Sequence, residues 1–115
     1  MADPEAIGRA FLEAYAKFAA EGNVAGLTSL YGADSFAAYE GTVQRGQAAI
    51  SAAFIAPRLP ARIRFAGSNV QATPVGLLLV MVNGESDKPA GRFTQLFALG
   101  ALPGGGFYIK ADVCR

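Results

Sequence analysis

Apolar positions at helical spacing dominate the first half of the chain and predict three helices. Asp3 and Pro4 are typical of an N-cap followed by proline in the first helical turn. Asn23 can cap a second helix, and a third is expected from Gln47 to Ile55, ended by Pro57. The three apolar faces comprise Ile7, Phe11, Tyr15 and Phe18, then Val24, Leu27, Leu30 and Tyr31, and finally Ile50 and Phe54.

After Pro60 the apolar residues change to alternation, which is typical of strands. Leu77 to Val82 is apolar on both faces and is expected to be a central strand. Turns are expected at residues 32–35, 83–89 and 103–106, which are rich in glycine, proline and small polar residues. Strands are predicted at residues 36–39, 61–66, 77–82, 92–102 and 107–113. One face of the strand at 92–102 is expected to comprise Phe93, Gln95, Phe97 and Leu99. One face of the strand at 107–113 is expected to comprise Phe107, Ile109, Ala111 and Val113.

Helices first and strands afterwards predict one α+β domain over residues 1–115. Strands joined by short turns pair antiparallel, because parallel pairs need long crossovers. Helices on one face of such a sheet leave its other face uncovered, and 52% of the residues are apolar. A second subunit laid sheet to sheet would cover that face, so we expect a homodimer.

Composition excludes several classes of function. A net charge of +1 without runs of like charge gives no support to binding of nucleic acid or an anionic membrane. The chain has no histidine and one cysteine, Cys114, which excludes zinc sites of Cys and His and triads that need histidine. We expect Cys114 to be an inert, half-buried thiol. No signal peptide or membrane span is evident, so a soluble, intracellular protein without metal or cofactor is expected.

The segment Tyr39-Glu40-Gly41 sets an aromatic ring beside a carboxylate at the end of a short apolar run. A carboxylate at an apolar edge is costly unless something pairs with it. Three explanations stay open on the residues alone. Glu40 pairs with a partner protein, moves a proton, or satisfies a local turn.

Six short segments follow one another in an order that a known family shares. They are Tyr39-Glu40-Gly41, Gly46-Gln47-Ala48-Ala49-Ile50, Gln71-Ala72-Thr73-Pro74, Leu79-Val80-Met81-Val82-Asn83-Gly84, Arg92-Phe93-Thr94-Gln95-Leu96-Phe97 and Asp112-Val113-Cys114-Arg115. In this order they resemble the nuclear transport factor 2 family, with its aromatic-Glu-Gly segment, Phe-x-Gln-x-Phe strand and Asp-x-Phe-Arg ending. Each match is weak alone, whereas six in order are specific.

The resemblance implies a cone-like fold, cystatin-like or nuclear transport factor 2-like, of three N-terminal helices packed on a curved, mostly antiparallel sheet. It implies a homodimer joined through the sheets that binds Ran-GDP and Phe-rich (FxFG) nucleoporin repeats and carries Ran into the nucleus. Such a protein resides in cytoplasm and nucleus, concentrated at the nuclear envelope and pore. The resemblance assigns Ran binding to Glu40, Glu85 and Asp87, the last two in an acidic loop. It assigns the apolar pocket and repeat binding to Tyr39 and Phe93.

Two alternatives remain. The same fold hosts ketosteroid isomerase-like enzymes, in which Glu40 would be a base and Tyr15 a donor. Against catalysis, no acidic residue interrupts the strand from Arg92 to Leu102, and Gln95 is its one inward polar candidate. Tyr15 also has helical spacing to Phe11 and Phe18, which favours core packing. The other alternative is a non-catalytic dimerisation module.

Overall fold

A computed structural model describes residues 3–88 and 90–115 as helices packed on one six-stranded sheet. The third helix continues from an α-helical turn into a π turn at Ser51–Ile55 and a 3₁₀ turn at Ala56–Arg58. The helices are α1 (Pro4–Ala20), α2 (Val24–Ser29) and α3 (Gln47–Ile50). The strands are β1 (Tyr31–Tyr39), β2 (Thr42–Arg45), β3 (Ile63–Ala72), β4 (Leu78–Asp87), β5 (Ala90–Ala101) and β6 (Phe107–Cys114).

The strand order is β2-β1-β6-β5-β4-β3. Strands β3 to β6 form an antiparallel meander, and β1 and β2 form an antiparallel hairpin. The hairpin joins the meander through a parallel pairing of β1 with β6, which the sequence pattern does not reveal. The predicted α+β class with a mostly antiparallel sheet is confirmed.

Helix α1 lies against β3 and begins as predicted. The Asp3 side chain accepts a hydrogen bond from the Glu5 amide, and Pro4 occupies the first turn. A Cβ built on Gly8 would lie 2.6 Å from Val70 Cγ2, so a glycine is needed for the close approach to β3. Within the described ranges, no helix is long and apolar enough to cross a bilayer.

Two predicted boundaries at the start of the chain are wrong. Tyr31, predicted on the second helix, and residues 32–35, predicted as a turn, both belong to β1. The Ser35 hydroxyl donates to the Ile109 carbonyl, and the segment stays on β6 across an irregular register. The third helical segment does not end before Pro57. This proline lies in the first turn of the 3₁₀ segment, where its missing N–H costs no hydrogen bond.

The polar turn expected at residues 83–89 is also largely wrong, since β4 runs on to Asp87. Residues 83–87 pair with both β3 and β5, and Glu85 lies opposite Arg64 and Arg92. Opposite charges on neighbouring strands stabilise such pairing, so a polar strand forms where composition favours a loop. The acidic loop predicted for Glu85 and Asp87 is therefore a strand end.

The two faces of the sheet differ in their surroundings. The inner face, toward the helices, carries the largest fully buried side chain, Phe97. Its ring makes edge contacts with Phe11 and Tyr15, at centroid distances of 4.8 and 5.2 Å. On the outer face, the register aligns an apolar row across five strands. This row comprises Met81, Leu96, Val113, Ala38 and Val43.

The substitution Phe97→Ala should lower the free energy of unfolding by about 3–5 kcal/mol, because it leaves a cavity between α1 and the sheet. Phe107→Ala is the matched control, since Phe107 is 37% exposed, and it should lower the free energy of unfolding by only about 1 kcal/mol. Urea unfolding followed by circular dichroism measures both. Equal losses for the two variants would show that the core does not centre on Phe97.

Candidate functional site

The Glu40 carboxylate stands on a two-residue hairpin turn between β1 and β2. Tyr39 pairs with Thr42, and both turn residues have left-handed backbones, with φ of 52° at Glu40 and 86° at Gly41. Glycine and asparagine suit such turns, whereas glutamate there costs about 1 kcal/mol. The Glu40 amide also donates to the Cys114 carbonyl (3.2 Å), which ties the turn to the end of β6. The structure therefore holds an exposed carboxylate in a strained backbone.

Glu40 lies on the rim of a cavity of about 470 Å³, here called the mouth pocket. Aromatic side chains and arginines line it together. The pocket comprises the rings of Tyr39, Phe54 and Phe93, the guanidinium groups of Arg58, Arg92 and Arg115, and the Glu40 carboxylate, among others. The structure thus brings together three of the predicted site residues, Tyr39, Glu40 and Phe93.

The aromatic wall of the mouth pocket is built around Tyr39. Its ring stacks on Phe54 at a centroid distance of 4.4 Å and an interplanar angle of 17°. The Arg58 guanidinium carbon lies 4.7 Å from the Tyr39 centroid, within cation–π distance. Phe93 packs edge-on against Phe65 at 6.1 Å. Rings in contact with one another form a rigid apolar surface.

Beneath this wall lies a buried carboxylate, Asp112 on β6, with no exposed surface. Its Oδ2 accepts hydrogen bonds from the hydroxyls of Tyr31 (2.7 Å) and Tyr39 (3.0 Å), and its Oδ1 accepts from Gln95 Nε2 (2.7 Å). We call these four side chains the Asp112 network. Both carboxylate oxygens are engaged, so the network is satisfied within the protein.

Sequence reasoning missed Asp112 as a site residue because it predicted the wrong face for β6. Alternation from Phe107 places Ala111 and Val113 inward, but the pairing of β5 with β6 shifts register between Ala98 and Leu99. Beyond this irregularity, Asp112 and Cys114 point inward instead. The sequence feature that could have identified Asp112 is a single aspartate near the end of an otherwise mostly apolar strand.

Burial shifts the pKa values of this network. Burial raises the pKa of Asp112 above 3.8, against the lowering effect of its donors Gln95, Tyr31 and Tyr39. Burial, and then the charge of Asp112, raise the pKa of Tyr15 to about 12 and those of Tyr31 and Tyr39 well above 10.0. The three tyrosines therefore hold their protons at neutral pH.

Tyr15 and Cys114 have the structural roles predicted from the sequence, core packing for Tyr15 and an inert thiol for Cys114. Tyr15 is buried and its ring contacts Phe97 and Phe65, which is the expected core packing. Cys114 is more buried than expected, at 7% exposure. Burial, and then the charge of Asp112, raise the pKa of its thiol to about 11, so the nucleophilic thiolate is scarce at neutral pH.

The other two predicted acidic residues do not line the mouth pocket. Glu85 forms ion pairs with Arg64 (3.2 Å) and Arg92 (3.8 Å), and it lines a neighbouring concavity that shares Arg92 and Phe93 with the mouth. Asp87 accepts a hydrogen bond from the Arg62 amide (2.6 Å). Both are committed to contacts within the chain. Their role in partner binding stays a prediction.

The sequence matches the family model of the nuclear transport factor 2 (NTF2) domain over residues 7–115. A comparison with curated proteins finds no match.

Three solved structures illustrate the range of proteins that share this fold. Nuclear transport factor 2 from Cryptosporidium parvum is 28% identical, with a TM-score of 0.79 and coverage of 97% of this chain and 93% of that one. The yeast complex of the deubiquitinase Ubp3 with its cofactor Bre5 contains a chain that is 21% identical (TM-score 0.80, coverage 96% and 94%). A putative ketosteroid isomerase from Shewanella frigidimarina is 11% identical (TM-score 0.79, coverage 95% and 94%). The last two show the fold alone.

The wild-type protein should lose stability relative to Asp112→Asn as the pH rises above 3.8. The folded-state pKa of Asp112 is raised, so its contribution is complete below the unfolded pKa and is lost as the pH rises through the folded one. Each unit of that shift corresponds to about 1.4 kcal/mol. Urea unfolding of both proteins between pH 3 and 8 measures the difference.

Asp34→Asn is the control, because its effect on the pH dependence of stability should have the opposite sign. The hydrogen bonds from Tyr108 and Lys110 lower the pKa of Asp34, so the wild type should gain stability relative to this variant as the pH rises through 3.8. A flat difference for Asp112→Asn would show that its carboxyl is not destabilised by burial.

Proposed function

Because the chain belongs to the nuclear transport factor 2 domain family, we propose that it is a homodimeric transport factor that binds Ran-GDP and Phe-rich nucleoporin repeats. In this role it carries Ran into the nucleus and is concentrated at the nuclear pore. The observation that carries the proposal is the exposed, strained Glu40 beside an aromatic-lined pocket.

Glu40 supplies the charge in this proposal. A residue held in a costly backbone conformation indicates a role that outweighs the cost, and glycine or asparagine would fit the same turn without strain. Its carboxylate is exposed at the rim, where a basic side chain of Ran can reach it. A charge-assisted pair there selects a partner with a basic residue next to an apolar group.

The rings of Tyr39, Phe54 and Phe93 supply the apolar part. A partner phenylalanine placed among them would bury its ring against a preformed surface, which is how aromatic anchors contribute most of the energy of an interface. The same chemistry suits the phenylalanines of FxFG repeats, for which Tyr39 and Phe93 are the candidate contacts.

The outer face of the sheet supports the proposed homodimer. Its apolar row ends in Met81 and Val43, which are 44% and 51% exposed in a single chain. Leu79, half-buried in a single chain, adds apolar area in the adjacent row. Two such faces packed together would bury a contiguous apolar patch, as in homodimer interfaces.

We propose further that the protein is not an enzyme. The buried carboxyl that a base would need is Asp112, but it has no exposed surface and both of its oxygens accept hydrogen bonds from the protein. Tyr39, one of its donors, stands between it and the mouth pocket. Glu40, the other candidate base, lies at the exposed rim.

The matched variants Glu40→Asn and Glu40→Asp test whether the negative charge at residue 40 contributes to Ran-GDP binding. Both side chains tolerate the left-handed backbone, so each variant should gain about 1 kcal/mol in stability. The two differ in charge, so Asn should bind Ran-GDP at least tenfold more weakly (about 1.4 kcal/mol), while Asp keeps more of the affinity. Calorimetric titration with Ran-GDP, repeated with Ran bound to a GTP analogue, measures this.

Binding of the wild type to the GDP form alone is expected. Glu21→Gln, an exposed glutamate at the end of α1, should bind like the wild type. Equal affinities of the Asn and Asp variants would remove Glu40 from the interface, and no binding of either nucleotide form would overturn the Ran assignment.

Leu96→Glu should convert the dimer to a monomer, because it places a charge within the apolar row. Leu102→Glu is the control, since Leu102 is 45% exposed in the loop after β5 and lies outside that row. Sedimentation equilibrium at micromolar concentrations measures the mass. A wild-type monomer, or a dimeric Leu96→Glu protein, would contradict the sheet-to-sheet dimer.

A further inference from the structure

We propose that the mouth pocket also binds a small aromatic carboxylate, with the ligand ring among Tyr39, Phe54 and Phe93 and its carboxylate on Arg58. The observation behind this is a half-buried guanidinium that faces the pocket. Binding requires no partner protein, so the inference stands apart from the transport role.

Arg58 differs from Arg64 and Arg92 in its contacts, and unlike Arg115 it is half-buried. Arg64 and Arg92 pair with Glu85, whereas Arg58 forms no ion pair with a carboxylate in residues 3–88 and 90–115. Its guanidinium carbon lies over the Tyr39 ring at 4.7 Å from the centroid, a cation–π contact that uses none of its N–H donors. A planar fork of donors is the group that binds a carboxylate through two parallel hydrogen bonds.

The charge of the lining favours an anion. Among the described residues that line the pocket, three arginines face one carboxylate, Glu40. Glu85 offsets Arg92 from outside the pocket, and the buried Asp112 lies within electrostatic range of Arg58, but Arg58 is half-buried over the Tyr39 ring. A half-buried charge is less screened than one in water, so a ligand carboxylate beside Arg58 gains more than it would at the surface.

Size and shape favour an aromatic ligand. A volume of about 470 Å³ falls within the range of about 300–1,000 Å³ that is typical of small-molecule pockets. The Tyr39 and Phe54 rings stack on each other, and Phe93 lines the same cavity, so three aromatic side chains border the space available to a ligand ring. A one- or two-ring acid satisfies both the aromatic walls and the guanidinium.

This ligand and a partner phenylalanine would occupy the same space. Binding of the acid is therefore expected to weaken the binding of any protein that inserts an aromatic ring into the pocket. The inference makes the mouth pocket a point at which an aromatic acid competes with a protein partner.

Indole-3-acetate and benzoate, each compared with its neutral amide, test the proposal on the isolated protein. Calorimetric titration should give submillimolar binding for at least one acid and at least tenfold weaker binding for its amide. Arg58→Gln should reduce the affinity for that acid at least tenfold, and Arg58→Lys should be intermediate, because it keeps the charge and loses the fork. Arg9→Gln, on the exposed side of α1, is the matched control and should bind like the wild type.

Saturation-transfer NMR should show the ligand ring close to aromatic protons of the protein. Equal binding of acid and amide, unchanged affinity in Arg58→Gln, or no acid binding below 1 mM would each overturn the proposal. None of these outcomes bears on Ran-GDP binding, which is measured without the acids.

Discussion

The hydrogen bonds to Asp112 hold together the part of the fold on which the mouth depends. Tyr31 and Tyr39 come from β1, Gln95 from β5 and Asp112 from β6, so one carboxylate joins three strands. It does so where β1 pairs with β6 in parallel, the one pairing that no hairpin enforces. Removing a donor would leave a buried charge short of a partner, which is costly. The network therefore fixes the position of Tyr39, and through Tyr39 the wall of the mouth pocket.

The mouth combines two requirements that act against each other. Glu40 offers a negative charge at the rim, while Arg58, Arg92 and Arg115 line the same cavity with positive charge. A partner that satisfies both presents a basic group to the outside and an aromatic group to the inside. The acidic residues of β4 do not change this balance, because Glu85 and Asp87 are held by Arg64, Arg92 and the Arg62 amide. The charge available to a partner thus depends on one strained turn.

Much of the fold followed from the sequence, because the helical faces of α1 and α2 and the alternation in β3 and β5 are local signals. The mouth residues Tyr39, Glu40 and Phe93 were also found, through ordered motifs. Two features could not be predicted from the sequence because they depend on contacts between residues distant in the chain. The polar end of β4 is a strand since Arg64 and Arg92 flank Glu85, and Asp112 faces inward since β6 changes register against β5. Neither the partner strand nor its irregularity can be read from the segment itself.

Tyr39 belongs at once to the interior and to the surface, and this restricts how the protein can change. Its ring forms part of the pocket wall, while its hydroxyl donates to a carboxylate that has no contact with solvent. Tryptophan would enlarge the ring but has no hydroxyl at that place, and phenylalanine would leave Asp112 with one donor fewer. A substitution at this position therefore alters the hydrogen bonding of Asp112 together with the pocket wall, although Tyr31 and Gln95 still donate to the two oxygens. The Tyr39 hydroxyl thus links the binding preference of the pocket to the stability of the fold.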